Sequence, residues 1–253
     1  MSLRLVHIRL IIVLSLLFML FVGYKEYMYN RASAIVPLAN VSNYNVYGID
    51  ISAHNGEIDF ATAKADNLDF VLIKASEGAT FRDAKFNDNY ENASKAGFKV
   101  GAYHFFRYDV TGRQQAENFL DAVKGKDLSL PLAIDVENSG NPWVFFKSPA
   151  SRELRNMIDH LKARHYPVIV YTNKSTHKDL ISGRFHDCPL WLCTFSKPDT
   201  TYQWTIWQYS HVGQISGIPG DVDLNVFCGD STEWDTFVSQ TRYEFSEAAK
   251  IRQ

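Results

Sequence analysis

The stretch Leu130–Asn138, LPLAIDVEN, is apolar from Leu130 to Ile134 and then sets two acids one residue apart, Asp135 and Glu137. A short apolar run bounded by polar residues reads as a strand buried on both faces, the kind found in parallel sheets. Alternate strand residues point to one side with a rise of about 6.6 Å between them, so the two acids project together. Carboxylates at the end of a buried strand suggest a barrel whose strand C-termini open on a site.

Working outward from that strand, seven more β-rich runs appear. They are Tyr47–Ser52, Phe70–Ala75, Lys99–Phe106, Pro167–Thr172, Pro189–Phe195, Thr205–Tyr209 and Val222–Phe227, with Leu130–Glu137 as the fourth of eight in chain order. Helical segments separate the first five: EIDFATAKADN, DAKFNDNYENASKAG, TGRQQAENFLDAVKG and SPASRELRNMIDHLKARH, two of them ending on glycine and the last opening on Ser-Pro. A shorter helix is expected at STHKDLIS, and the last strands are joined by stretches too short or too rich in Gly and Pro for a crossover helix. Strands alternating with helices predict a parallel sheet, and eight strands in a chain of this length predict a closed barrel. The expected fold is therefore α/β, a modified TIM-type barrel of the form (β/α)5(β)3, with an N-terminal hydrophobic leader helix.

The predicted layout is a leader over 1–30, a linker over 31–45, a barrel over 46–230 and a polar helical tail over 231–253. The leader has Arg4 and Arg9 ahead of an uncharged apolar stretch from Leu10 to Tyr24. It reads as a signal peptide or a membrane anchor, with a buried core helix as the third choice. The small-x-small site ASA at 32–34 favours cleavage, whereas Lys25 and Glu26 separate it from the apolar core. The expected location is secreted, periplasmic or membrane-anchored with the barrel outside the cytoplasm. Beyond Arg31 the chain carries 22 basic against 27 acidic residues, which gives nucleic-acid binding no electrostatic support. A hydrophobic fraction of 46 % is ample for one packed core, and a monomer is expected. Cys188, Cys193 and Cys228 match neither a zinc spacing nor a disulfide framework and are expected to be free, mostly buried thiols.

Other acids fall at strand ends as well. Asp50 closes YGIDIS, Glu77 follows FVLIKAS, and Asp221 and Asp223 stand in GDVDLNVF. A single strand-end Asp more often caps a turn, and Glu77 and Asp83 have Lys74 and Arg82 beside them as ion-pair partners. The Asp135–Glu137 pair is different, because burying two acids without use is costly. Carboxylates converging on one mouth repel, which raises at least one pKa and keeps a proton available. His54 and His104 lack an HxxxH or HxH spacing, so neither a metal nor another cofactor is expected. Aromatic residues gather at the same strand ends: Tyr103 in GAYHFF, Tyr171 in VIVYTN, Trp191 in PLWLCTF, Trp207 in TIWQYS. Core packing is the bland reading of any one of them, yet rings beside acids suit a sugar. NPWVFFKSP at 141–149 is a further expected groove rim.

Taken in order, GIDIS, FVLIKASEG, AGFKVGAYHFF, LAIDVEN, VIVYTN, LWLCTF, WQYS and DVDLNVF resemble the family 25 glycoside hydrolases, the Chalaropsis-type lysozymes or N-acetylmuramidases. Any one motif is weak; the ordered set spans Tyr47–Phe227. The resemblance implies a barrel of five β/α units followed by three strands. It also implies hydrolysis of the β-1,4 bond between N-acetylmuramic acid and N-acetylglucosamine in peptidoglycan. Carried over by position, Glu137 corresponds to the general acid and Asp135 to the residue that stabilises positive charge or orients the 2-acetamido group. Asp50 and Asp223 correspond to the other two active-site acids, with Asp221 as the rival for the last place. Tyr103, Tyr171, Trp191, Trp207 and Glu77 are the expected substrate contacts. The alternatives are a silent glycan-binding barrel, a hydrolase of chitin-like chains, and a metal-dependent polysaccharide deacetylase, whose Asp and paired-His pattern is missing.

Overall fold

The structure is a computed structural model of the chain and describes residues 14–15, 17–23, 39–142 and 148–251. The chain divides into two compact units, 1–37 and 38–253. In the first, residues 17–23 are helical, with Leu17, Phe18, Met19, Leu20 and Phe21 exposed. Among the described residues no helix is long and apolar enough to cross a membrane. Most of the expected leader and linker, and residues 143–147 of the expected groove rim, lie outside the described residues.

The second unit is a closed barrel. Its strands are β1 (Tyr47–Ile51), β2 (Phe70–Glu77), β4 (Lys99–Phe105), β5 (Leu132–Asp135), β6 (Val168–Asn173), β7 (Leu190–Cys193), β8 (Ile206–Gly213) and β9 (Val222–Phe227). A two-residue strand, β3 (Phe81–Arg82), folds back on the end of β2 and was not expected from sequence. Pairing runs β1-β9-β8-β7-β6-β5-β4-β2, and β1 closes the ring on β2. Pairs from β1–β2 round to β7–β8 are parallel, but β9 is antiparallel to both β8 and β1. The parallel sheet expected from the alternation of strands and helices thus holds round the barrel except at the last strand. The short link Gln214–Asp221 turns the chain back without a crossover helix, and a tight return of that kind can join only antiparallel neighbours.

Helices α1 (Phe60–Lys64), α2 (Phe86–Lys95), α3 (Gly112–Ala122) and α4 (Ser148–Lys162) follow the first four barrel strands. After β6 comes a single turn, Lys174–Thr176, running into a π-helical turn, His177–Ile181. Asp59 caps α1 by accepting the Thr62 N–H, and Thr111 caps α3 by accepting that of Gln114, as short polar side chains do at helix starts.

Alternation along each strand makes two cores. Outward residues such as Ile49, Val71, Ile73, Ile134 and Val226 pack against the helices, while Phe70, Leu72, Ala133, Ile169, Ile206 and Phe227 fill the barrel. Phe70 is accommodated because Gly48 faces it: a Cβ there would lie 2.5 Å from the ring. The closing helix α5 (Ser231–Ile251) is less polar in its role than the sequence suggested. Its Trp234 sits 5.1 Å from the Phe70 ring and 5.2 Å from Phe227, plugging the barrel at the end opposite the acids.

Candidate active site

Inward positions at the upper end of the barrel surround a cavity of about 730 Å³. Asp50, Lys74, Tyr103, Phe105, Asp135, Glu137, Tyr171, Asn173, Trp191, Cys193, Gln208 and Asp223 all line it. Asp50 and Asp223 face each other directly across the antiparallel β1–β9 pair. Asp223 therefore reaches the site from the beginning of its strand, because β9 runs the other way. Asp221 is exposed outside the cavity, accepting a 2.5 Å bond from Gln214 Nε2.

Asp135 is buried at the end of β5, and its Oδ1 has no hydrogen-bond partner among the described residues. Burial, then the charges of Glu137 and Asp50, raise its pKa well above the usual carboxylate value. Glu137, two residues on and half-buried, is likewise raised by burial, against a hydrogen bond from Asn173 that favours its ionised form. Burial and the neighbouring Asp50 push Asp223 up to about 8. Asp50 is pushed to about 6 by burial, held lower by N–H bonds from Asn225 and Gln208. Each of those amides lies 2.8 Å from Asp50 Oδ2. The cavity thus holds Asp223, which keeps its proton at neutral pH, beside Asp50, which gives its proton up, the kind of division of labour that acid-catalysed bond cleavage needs.

Tyr103 and Tyr171 stand in the cavity wall, and Trp191 forms part of its floor with 1 % of its surface exposed. Two expected substrate contacts lie elsewhere. Trp207 is fully buried on the outer face of β8, donates its indole N–H to the Thr194 carbonyl at 2.7 Å and packs against Trp204 and Tyr44. Its inward neighbour is Gln208, and one residue of register moves a side chain to the other face. Glu77 is outside the cavity, paired with Lys74 at 2.8 Å and with Arg107 at 3.7 Å. Asp83 holds a loop, accepting the backbone N–H groups of Ala53 and Lys85.

His54 is exposed at the cavity rim. His104 faces α3, its Nδ1 2.8 Å from Ser76 Oγ and its Nε2 3.2 Å from Gln115 Oε1, and burial lowers its pKa to about 3. Among the described residues no group of three His, Cys, Asp or Glu side chains is placed to hold a metal. Cys188 and Cys193 are partly buried, whereas Cys228 is exposed, contrary to the expectation of mostly buried thiols.

Gln208, Asn225 and Lys74 were missed in the sequence, as were Phe195 and His211, whose rings lie 4.4 Å apart on the β7–β8 side of the mouth. Parity would have found the polar two: Asn225 is two residues from Asp223, and Gln208 is the polar residue between two aromatic ones.

A closed barrel with convergent carboxylates at its mouth defines the class, a barrel equipped for acid–base chemistry. The sequence profile described as glycosyl hydrolases family 25 matches residues 49–218, and the chain belongs to that family. The autolytic lysozyme of Clostridium acetobutylicum is 36 % identical over 183 residues, covering 71 % of this chain and 55 % of that protein. Lysozyme M1 of Streptomyces globisporus is 32 % identical over 203 residues, covering 74 % and 69 %. Among solved structures, a family 25 glycosyl hydrolase from Bacillus anthracis superposes with a TM-score of 0.73 at 34 % identity, covering 79 % of this chain and 96 % of that one. The chain thus spans about half the length of the clostridial relative and nearly all of the Bacillus structure.

Proposed function

We propose that the protein hydrolyses peptidoglycan, cleaving the β-1,4 bond between N-acetylmuramic acid and N-acetylglucosamine. The family supports a glycosidase, and the names of the relatives, lysozymes among them, support this substrate. The observation that carries the assignment of roles is the buried Asp135 with its free Oδ1, next to a Glu137 whose pKa burial raises.

Glu137 is the general acid, giving its proton to the leaving glycosidic oxygen as the bond breaks. Asp135 Oδ1 is an acceptor held ready for a donor that the substrate brings; the N–H of a 2-acetamido group supplies one. Bound there, the acetamide is turned so that its carbonyl oxygen attacks the anomeric carbon as the leaving oxygen departs, and Asp135 stabilises the positive charge that develops. Water then opens the oxazolinium at that carbon while giving a proton back to Glu137. Asp50 adds a negative charge near the sugar, while Asp223 stays protonated and avoids a second one. Tyr103 and Tyr171 contribute apolar faces to the sugar, and Trp191 acts from beneath. The apolar segment after Arg9 supports delivery of the barrel beyond the cytoplasm, as a cleaved signal or a retained anchor. Fractionation of cells, with the mass of the recovered chain, tests it: the mature barrel in the medium or periplasm, or the full chain in the membrane, is expected, and a cytosolic chain would refute export.

Lysis of purified cell walls tests the activity, with Glu137→Gln alongside. The wild-type chain is expected to clear the walls, and the variant to sediment with them without clearing. Clearing by the variant would overturn the role of Glu137, and no clearing by the wild type would overturn the activity.

A further inference from the structure

Asn225 has its orientation imposed from below. Trp191 Nε1–H lies 2.8 Å from Asn225 Oδ1, and an indole N–H can only donate, so the amide oxygen must face the indole. The amide NH2 is then directed at Asp50 Oδ2, 2.8 Å away. Gln208 is arranged in the same way on the next strand, with Tyr171 Oη donating to its Oε1 at 2.8 Å and its NH2 donating to Asp50 Oδ2 at 2.8 Å. One carboxylate oxygen thus receives two N–H bonds from amides that are themselves held. All four side chains are buried, with Gln208 at 4 % and Asn225 at 0 % exposure.

Donor counting gives the consequence. Asp50 and Asp223 face each other across the β1–β9 pair, and two adjacent buried carboxyls are best accommodated with one proton between them. With Asp50 Oδ2 filled by two donors, that proton belongs on Asp223. We propose that Gln208 and Asn225 are positioning residues that keep Asp50 the anion and Asp223 the acid, so that this pair presents one negative charge, at a fixed place, to the reacting sugar. This deepens the hydrolase reading and rests on it for the chemistry, but the proton's location is a property of the resting protein. Asp50 titrating near 6 and Asp223 near 8 agrees with the donor count. The other groups around the pair are Asp135 and Glu137 from β5 and beyond it, Lys74 on β2, Tyr103 on β4, Tyr171 on β6 and Cys193 on β7, with His54 after β1 and His211 on β8 in the same lining. Neither Lys74 nor either histidine is hydrogen-bonded to Asp50 among the described residues, whereas both amides are.

Carboxyl-carbon NMR of the full chain, titrated between pH 4 and pH 9 (on the order of the carboxyl range in folded proteins), tests the assignment directly. In the wild type the Asp50 carboxyl is expected to titrate at lower pH than that of Asp223; the reverse order would overturn the proposal. Gln208→Met removes one donor at similar volume. It is expected to raise the Asp50 midpoint by about one pH unit, a tenfold change, since a bond to a charged group is at stake. The acidic limb of kcat/KM should move alkaline by the same amount. A folded Gln208→Met chain with unmoved midpoints would also overturn it. If the wild type shows the predicted order but no wall hydrolysis, the proposed function fails and this inference stands.

Discussion

Glu137 stands two residues beyond Asp135, on the same face, with burial raising its pKa. Glu137→Gln keeps the shape and removes the proton, and turnover is expected to fall by about 10³ or more, with glycan affinity retained in a wall-binding assay. At Asp223 the expectation concerns stability. An unfolded Asp titrates near 3.8 and the folded one near 8, so the folded chain holds the extra proton across that window. Stability therefore falls as pH rises from about 4 to 8, because the folded state then binds more protons than the unfolded state. Asp223→Asn removes this dependence: its Tm should exceed that of the wild type at pH 8 and differ little at pH 4. A thermal scan at both values checks the sign, and lost activity with gained stability is the pattern of a site whose charges strain the fold.

At the level of strands, β8 illustrates both what could be read and what could not. Its position was evident from TIWQYS, but the aromatic residues drew attention and the parity put them outside. Trp207→Ala is expected to cost about 3–5 kcal/mol in denaturant unfolding while leaving KM for the glycan unchanged. A raised KM at full stability would return Trp207 to the substrate. The direction of β9 was also hidden, since alternation reads the same from either end. Asp223 was thus chosen over none of the physics that places it: the sequence rule concerned strand C-termini, and the residue sits at an N-terminus that antiparallel pairing brings to the mouth. The Asp135–Glu137 pair was legible because two same-face acids in a buried run have few other uses. Gln208 and Asn225 were not, because an uncharged amide becomes informative only when its partner, 158 or 175 residues away in sequence, is known.

Over the whole molecule, the two ends of the barrel do opposite work. At the lower end Phe70, Phe227 and Trp234 fill the bore, and at the upper end carboxylates and amides replace them. The apolar plug lets the upper end stay polar, since a barrel with no packed floor would admit water beneath the acids and relax their pKa values. Trp234→Ala is accordingly expected to lower stability by about 3–5 kcal/mol, with kcat measured well below the transition largely kept. Loss of kcat in a fully folded variant would show that α5 supports the site and not only the floor. The eight-strand closure, the helices and the acids were expected from sequence, while the plug was taken for a polar tail because Trp234 and Val238 are sparse among its charges. The central claim is that this mouth cuts one particular glycan bond. Purified peptidoglycan should be digested, the new reducing ends reduced with borohydride, and the sugars identified by mass. Reduced muramic acid is the predicted product; reduced glucosamine, or intact glycan, would contradict the account.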